Sequence, residues 1–327
     1  MTVPGALGDG CAPWLPPRPG GHDRRPRRPP PPGGGVPAGR VRAFLRLVVI
    51  EHSVFALPFA YVAALAASYA HGRSVHWRAL ALVTVAMVAA RTFAMATNRL
   101  IDRELDARNP RTASRELVTG AVSVRTATVG SAVALLVFLA TAALLSPLCL
   151  LLAPVALALL VAYPYGKRFT WACHGLLGLA QAVAPVGAWI AVTGAWSWHA
   201  VVLGLAVGLW IGGFDLVYAL QDLDSDRSTG VHSLPARFGA AVALRVSEVA
   251  HVVTLGLFAW FGALEGFGGW WWAGLAATGA AFAYEHAIVK PDDLSRVDRS
   301  FFTANGFVGV ALFAFALTDL IARGLTW

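Results

Sequence analysis

What most constrains this chain is the recurrence of apolar runs of about 20 residues, separated by short charged segments. As helix, ~20 residues at ~1.5 Å each cross the ~30 Å hydrocarbon core of a bilayer. Lipid leaves only two ways to satisfy a spanning backbone, helices or a closed barrel. A barrel needs alternating segments of ~10 residues, which this chain lacks. Composition agrees, with 57% hydrophobic and 13% charged residues and a mean hydropathy of +0.61. A soluble domain carries about a quarter charged residues. The chain is therefore expected to be an all-α polytopic membrane protein, with the lipid bilayer as its surroundings.

Nine spans are expected, near 44–70, 79–97, 126–146, 148–165, 172–194, 198–220, 246–264, 269–288 and 303–323. Residues 41–327 would then form one transmembrane domain. Residues 1–40, centred on RRPRRPPPPGGG, are expected to be a disordered cytoplasmic tail, because Pro and Gly resist regular structure and little apolar surface offsets the entropy of ordering. A polyproline or lipid-binding role for Arg24, Arg25, Arg27 and Arg28 is the less favoured reading of that tail. No apolar stretch precedes residue 43, which excludes a secretory signal in the first 40 residues.

The net charge of +8 needs no nucleic-acid partner, since positive-inside bias alone produces it. With a cytoplasmic N-terminus, only Arg73, Arg78 and Arg323 of the 26 Lys and Arg fall on the far side, and the others lie in the tail, at helix ends or in cytoplasmic connections. Cys11, Cys149 and Cys173 show neither metal-ligand nor paired spacing. A multi-pass protein of a bacterial-type cell membrane is expected, with its functional charges facing the cytoplasm.

Those charges concentrate in two stretches. In NRLIDRELDARNPRTASRELVTG, Asn98, Asp102 and Asp106 recur every fourth residue, so on a helix they share a face over roughly 12 Å. In FDLVYALQDLDSDR, Asp215, Asp222 and Asp226 fall within roughly 40° of one another, with Tyr218 on the flank and Asp224 pointing elsewhere. Asp102 to Asp222 and Asp106 to Asp226 are both offsets of 120 residues. Each stretch runs into an Arg/Gly-containing loop. YPYGKR (163–168) closes the fourth span as KPDDLSR (290–296) follows the eighth. Two quasi-repeated four-helix units plus a final helix are expected, and parallel repeats place sites at their interface.

A lone aspartate at a helix end is readily explained as a solvated interface charge. Two aligned triplets in corresponding places are not. Mg2+ takes oxygen ligands, commonly one or two carboxylates completed by water and substrate phosphate. Two opposed triplets suit two such ions with a diphosphate between them, while Arg99, Lys167 and Arg168 neutralise the remaining phosphate charge. That arrangement favours departure of diphosphate from an allylic carbon. A transporter or channel is the competing class, but it places its acids near the bilayer midplane rather than at helix ends. A CDP-alcohol phosphotransferase would require a D-x-x-D-G-x-x-A-R pattern that is missing.

The two stretches resemble the N-x-x-x-D-x-x-x-D and D-x-x-Y-A-x-x-D-x-x-x-D motifs of the UbiA superfamily of intramembrane prenyltransferases. RTASR with Gly120, YPYGKR, and GVHS followed by Phe238-Gly239 fit as well, so the resemblance covers roughly residues 40–325. It implies Mg2+-dependent transfer of a polyprenyl group from polyprenyl diphosphate to an aromatic acceptor. By motif position it implies Asn98, Asp102, Asp222 and Asp226 as ligands of the metal–diphosphate, supported by Asp106 and Asp215. Lys167 is implied as a diphosphate contact, joined by Arg99 and Arg168. Tyr218 and Asp215 are implied to position the acceptor or stabilise the cation. Many 4-hydroxybenzoate enzymes read Asn-Asp where this chain reads Asn98-Arg99. The combination here looks more like the branch associated with menaquinone formation by the futalosine route, which acts on a dihydroxynaphthoate.

Other features weigh less. Trp270-Trp271-Trp272 reads as an interfacial aromatic belt. Glu51-His52 reads as a packed polar pair, with acceptor contact as the alternative. His174, His251 and His286 lack metal spacing and read as structural. Pro58, Pro154 and Pro185 are expected to kink their helices.

Overall fold

The computed structural model describes Leu47 and residues 56–327, with Phe302 described by its backbone alone. The expected tail over 1–40, the Glu51-His52 pair and the first part of the first span lie outside the described residues. The long helices are α1 (Leu57–Ala70) and α2 (Trp77–Ile101), followed by two short ones, α3 (Arg103–Arg108) and α4 (Glu116–Thr119). Then come α5 (Val124–Leu145), α6 (Pro147–Gly166), α7 (Cys173–Thr193) and α8 (Trp198–Tyr218). After the short α9 (Leu223–Thr229) and α10 (Leu234–Phe238) come α11 (Ala240–Leu264), α12 (Gly269–Ile288), the single turn α13 (Val297–Arg299) and α14 (Asn305–Ala322).

Among the described residues, seven helices are long and apolar enough to cross a membrane: α2, α5, α6, α7, α8 with its continuation to Thr229, α11 and α14. The all-α membrane architecture is therefore present, although nine spans are not all matched by that measure. α12 is 20 residues long but is not among the seven, and the described part of α1 is 14 residues. α11 starts at Ala240, well before the expected 246, because Arg245 and Glu248 lie on its exposed side and pair at 2.9 Å. Local chemistry sets several boundaries. Ser123 and Ser146 cap α5 and α6 by accepting from Thr126 N and Cys149 N, Pro147 opens α6, and left-handed Gly194 closes α7.

Helix packing follows the expected duplication. α2 packs on α5 and α5 on α6, just as α8 packs on α11 and α11 on α12. α1 and α7, the first helices of the two units, pack on each other, and α14 closes the bundle against α12 and α1. α8 is the most enclosed span. Glycines on it recur every fourth residue: a Cβ at Gly204 would lie 2.4 Å from the Ala182 carbonyl, and one at Gly208 would lie 2.6 Å from that of Gly178. With no hydrophobic drive between helices in lipid, such close backbone contact is what holds α7 to α8.

The core lies on the α1, α8, α11, α12 and α14 side, where Phe59, Trp210, Phe258, Phe261 and Trp271 interlock. Trp271 thus departs from the expected belt: it is fully buried against Phe267 and over Gly262, whereas Trp270 and Trp272 are exposed. Asn305 joins three helices, accepting from Trp210 Nε1 at 2.8 Å and donating to Glu285 at 3.3 Å. His251 and His286 pair at 3.0 Å beside this cluster, which fits the structural reading of both.

Candidate functional site

Both acidic motifs sit where a long helix breaks. α2 stops at Ile101, Asp102 takes φ −91°, ψ 2°, and α3 resumes at Arg103. After α8, a 3-10 turn over Ala219–Asp222 ends with Asp222 at φ −100°, ψ 4°, and α9 resumes at Leu223. The sequel also repeats. An extended residue (Arg115 or Ser233) opens a second short helix, which ends at a left-handed Gly120 in one unit and at Gly239, also at positive φ, in the other. The 120-residue offset read from sequence therefore corresponds to a repeated backbone path. The first stripe survives its break, since Asp102 N still donates to Asn98 O and Asp106 N to Asp102 O, at 2.9 and 2.8 Å.

Each carboxylate meets a base or a hydrogen-bond donor from another segment. Asp102, 1% exposed, is ion-paired with Lys167 and lies 3.4 Å from Arg168 Nη2. Burial pushes its carboxyl pKa up, and the Lys167 and Arg168 charges pull it back. Asp106 is held by Arg115 at 2.5 Å. Asp222 receives Arg111 in a two-pronged pair and Asn109 Nδ2 at 2.8 Å. Arg111 also donates to the Tyr218 hydroxyl at 3.1 Å, with its guanidinium over the Tyr218 ring. Asp226 accepts from Ser233 at 2.8 Å, and Asp215 meets His174 at 2.7 Å. Asp224 points out to solvent, as its register requires.

These groups crown a cavity of about 490 Å3 walled by α1, α2, α5, α6, α7 and α8. Asn98, Arg99, Asp106, Lys167, Asp215, Tyr218, Asp222 and Asp226 all line it. Asp102 and Arg168 do not. Asp102 stands behind Lys167, and Arg168 reaches outward to the Ile101 carbonyl at 2.6 Å. Below the charged rim the wall is apolar, with Val83, Met87, Phe138, Leu145, Leu152 and Ile190 among its residues. From Arg99 down to Val83 on α2 the lining runs roughly 24 Å at ~1.5 Å per residue, most of a bilayer core.

Several lining residues escape the sequence reading, Arg91, Asn109, His174 and Phe301 among them. Arg91 lies inside α2, not at a helix end as the charge count assumes, and its Nε is buried with no hydrogen-bond partner among the described residues. The same holds for Arg99 Nε. His174 belongs to the cavity wall, and Phe301 joins the site by packing against Tyr218, the rings tilted at 35° with centroids 4.3 Å apart. The signal for Arg91 is a lone charge within an apolar run; His174 and Phe301 have no local signal, because their partners lie 41 and 83 residues away.

Duplicated acidic helix breaks thus crown an apolar shaft within a polytopic helical bundle. The chain belongs to the UbiA prenyltransferase family, whose family model matches residues 56–307. It is 34% identical over 227 residues to the 4-hydroxybenzoate octaprenyltransferase of Alkalilimnicola ehrlichii, covering 69% of this chain and 77% of that one. The apo structure of a UbiA homolog from Aeropyrum pernix K1 superposes with a TM-score of 0.75 at 35% identity, over 83% of this chain and 98% of its own. A UbiA homolog from Archaeoglobus fulgidus bound to DMAPP and Mg2+ shares the fold, with a TM-score of 0.66 at 20% identity, over 85% and 99% of the two chains.

Proposed function

We propose that this enzyme transfers a polyprenyl group from polyprenyl diphosphate to a hydroxy-aromatic acid, with Mg2+ as cofactor and the charged rim facing the cytoplasm. The observation that carries the reading is the join of an acid-and-base rim to an apolar shaft about 24 Å long. That shape suits an amphiphile with a dianionic head and a long hydrocarbon tail. The tail exchanges lipid for protein and gains little, so affinity has to come from the head.

The donor set fits a hard cation. Asn98, Asp106, Asp222 and Asp226 line the cavity and offer oxygen, with Asp102 held behind Lys167, yet among the described residues no three acidic, His or Cys groups form a closed metal cluster. A site of that kind needs substrate phosphate and water to complete it, as Mg2+ sites commonly do. Bound there with diphosphate, Mg2+ supplies charge that stabilises the leaving group as the allylic C–O bond breaks. Arg99 and Lys167 neutralise further phosphate charge from the rim. Arg111 and Arg115 now hold Asp222 and Asp106, and their guanidiniums are placed to turn to phosphate when those carboxylates take other partners. The faces of Tyr218 and Phe301 stand where an allylic cation can be stabilised by ring quadrupoles, and the apolar wall keeps water from capturing it. Arg91, unpartnered at Nε among the described residues, offers a fork for the carboxylate of the aromatic acid.

The named relative points to 4-hydroxybenzoate and the Asn98-Arg99 pairing to a dihydroxynaphthoate of menaquinone synthesis. Membranes containing the enzyme, given a polyprenyl diphosphate, Mg2+ and a small panel of hydroxybenzoates and hydroxynaphthoates, decide between them by mass spectrometry of products. A prenylated member of either class is expected. No prenylated aromatic product across the panel contradicts the reading.

A further inference from the structure

The face opposite the charged rim carries a second hollow. Trp77 lies 21 residues before Asn98 on α2, roughly 32 Å at ~1.5 Å per residue, and so marks the other edge of the bilayer core. A groove of about 420 Å3 begins there. Its floor is Tyr61 and Leu65 of α1, and its sides are Leu80 and Ala81 of α2 and Phe313 and Leu317 of α14. Trp77 and Trp327 stack at its outer end with ring centroids 5.7 Å apart. The Tyr61 and Thr84 hydroxyls bond each other at 2.7 Å, which leaves the walls apolar. Ala81 and both tryptophans are exposed, so the groove opens sideways to lipid. From Trp77 to Thr84 it descends roughly 10 Å, most of one leaflet's half of the core.

Arg73 stands at the mouth. Thr326, the residue before Trp327, donates its N and Oγ1 to the Arg73 carbonyl at 2.7 and 2.9 Å. Arg73 has φ 58°, and among the described residues no other non-glycine residue takes positive φ. Glycine adopts that conformation without strain, so the turn itself gives no reason for an arginine. The Arg73 guanidinium lies over the Tyr69 ring at 5.2 Å and, among the described residues, meets neither an acid nor a hydrogen-bond acceptor. Tyr69 continues the α1 face of Tyr61 and Leu65 at four-residue spacing. Neighbouring charges on this side of the bundle are engaged. Arg323 pairs with Asp319 at 3.8 Å, Glu265 meets His199 at 2.7 Å, and Arg78 donates to the Leu144 carbonyl at 3.4 Å.

We propose that this groove binds an anionic phospholipid of the leaflet opposite the rim, with the phosphate on Arg73 and one acyl chain between α1, α2 and α14. An apolar channel that ends at an uncompensated cation on the membrane edge fits an amphiphile with an anionic head. At ~10 Å it is less than half as long as the shaft under the rim, so it suits a bilayer lipid rather than a polyprenyl tail. The acyl chain exchanges lipid contact for protein contact and gains little, so selectivity rests on the guanidinium and the phosphate. A zwitterionic lipid brings a cation of its own to Arg73 and is disfavoured there. The site is independent of the chemistry at the rim.

The test uses the full chain, purified in detergent and stripped of lipid. It is titrated with phosphatidylglycerol or phosphatidylcholine of identical acyl chains, and bound lipid is read by native mass spectrometry. The parent should bind its first phosphatidylglycerol roughly tenfold or more tightly than its first phosphatidylcholine, as a charge-assisted pair provides. Arg73→Asn keeps a residue that tolerates the left-handed turn and removes the charge, so the preference should largely vanish. Ala81→Trp fills the groove with Arg73 in place, and tight phosphatidylglycerol binding should be lost. Melting temperatures without lipid check that each variant is folded, with Arg73→Gly and Leu80→Phe replacing either one that is not. Equal affinity of the parent for the two lipids overturns the proposal. So does a preference that survives loss of the Arg73 charge, or tight binding that survives filling of the groove. A lipid-free dimer that Ala81→Trp dissociates would give the groove to a second copy of the chain, and overturns the proposal as well.

Discussion

Replacing Arg91 by leucine tests the acceptor half of the site. Arg91 lies ten residues before the end of α2, about 15 Å into the span, and its Nε has no partner among the described residues. An arginine at the centre of a spanning helix costs roughly 2.5–3.5 kcal/mol on insertion scales, so Arg91→Leu is expected to leave the fold intact or make it more stable. If the guanidinium holds the carboxylate of the aromatic acid, its loss removes charge-assisted hydrogen bonds worth about 1.5–3 kcal/mol. That corresponds to a rise of roughly 10- to 150-fold in the acceptor KM. The KM for the prenyl diphosphate should barely move. Arg91→Lys should fall between, since a lysine keeps the charge but not the fork. The assay compares 4-hydroxybenzoate with 4-hydroxybenzamide in membranes, at saturating donor. The variant should lose preference for the acid over the amide. An unchanged preference refutes a carboxylate role for Arg91.

Lys167→Ala leaves Asp102, 1% exposed, with only the outward-facing Arg168, and removes a rim cation; the donor KM should rise tenfold or more while the acceptor KM holds, as read from initial rates. Gly208→Ala places a Cβ 2.6 Å from the Gly178 carbonyl and should lower stability by about 1–3 kcal/mol, visible as a lower melting temperature in detergent. Ala142→Phe puts a ring deep in the shaft, so octaprenyl transfer should fall while dimethylallyl transfer continues.

Much of this architecture is visible in the chain itself, because lipid imposes a strong pattern on sequence. The span read at 269–288 coincides with α12, and the other boundaries from α2 onward fall within a few residues except at α11, where Arg245 and Glu248 interrupt an apolar pattern without interrupting the helix. The acidic offset was legible because duplication preserves spacing, and Asp102 and Asp222 share nearly the same backbone angles. What escapes is what tertiary contact creates. His174 gains its meaning from Asp215 across a glycine-lined crossing, and Asn109 from Asp222 at 113 residues' distance. Arg91 is visible as a lone charge in an apolar run, but grouping it with helix-end bases conceals it. Trp271 shares a tripeptide with two exposed tryptophans, and only the space above Gly262 distinguishes it.

The most direct test of the central claim exchanges Asp102 and Asp222 singly for asparagine, in membranes supplied with Mg2+, labelled polyprenyl diphosphate and a hydroxy-aromatic acid. Each exchange keeps shape and removes one charge from the duplicated site, so both variants should lose at least a hundredfold in product, and the parent enzyme should lose activity with EDTA. Turnover near the parent level in both variants would contradict the account.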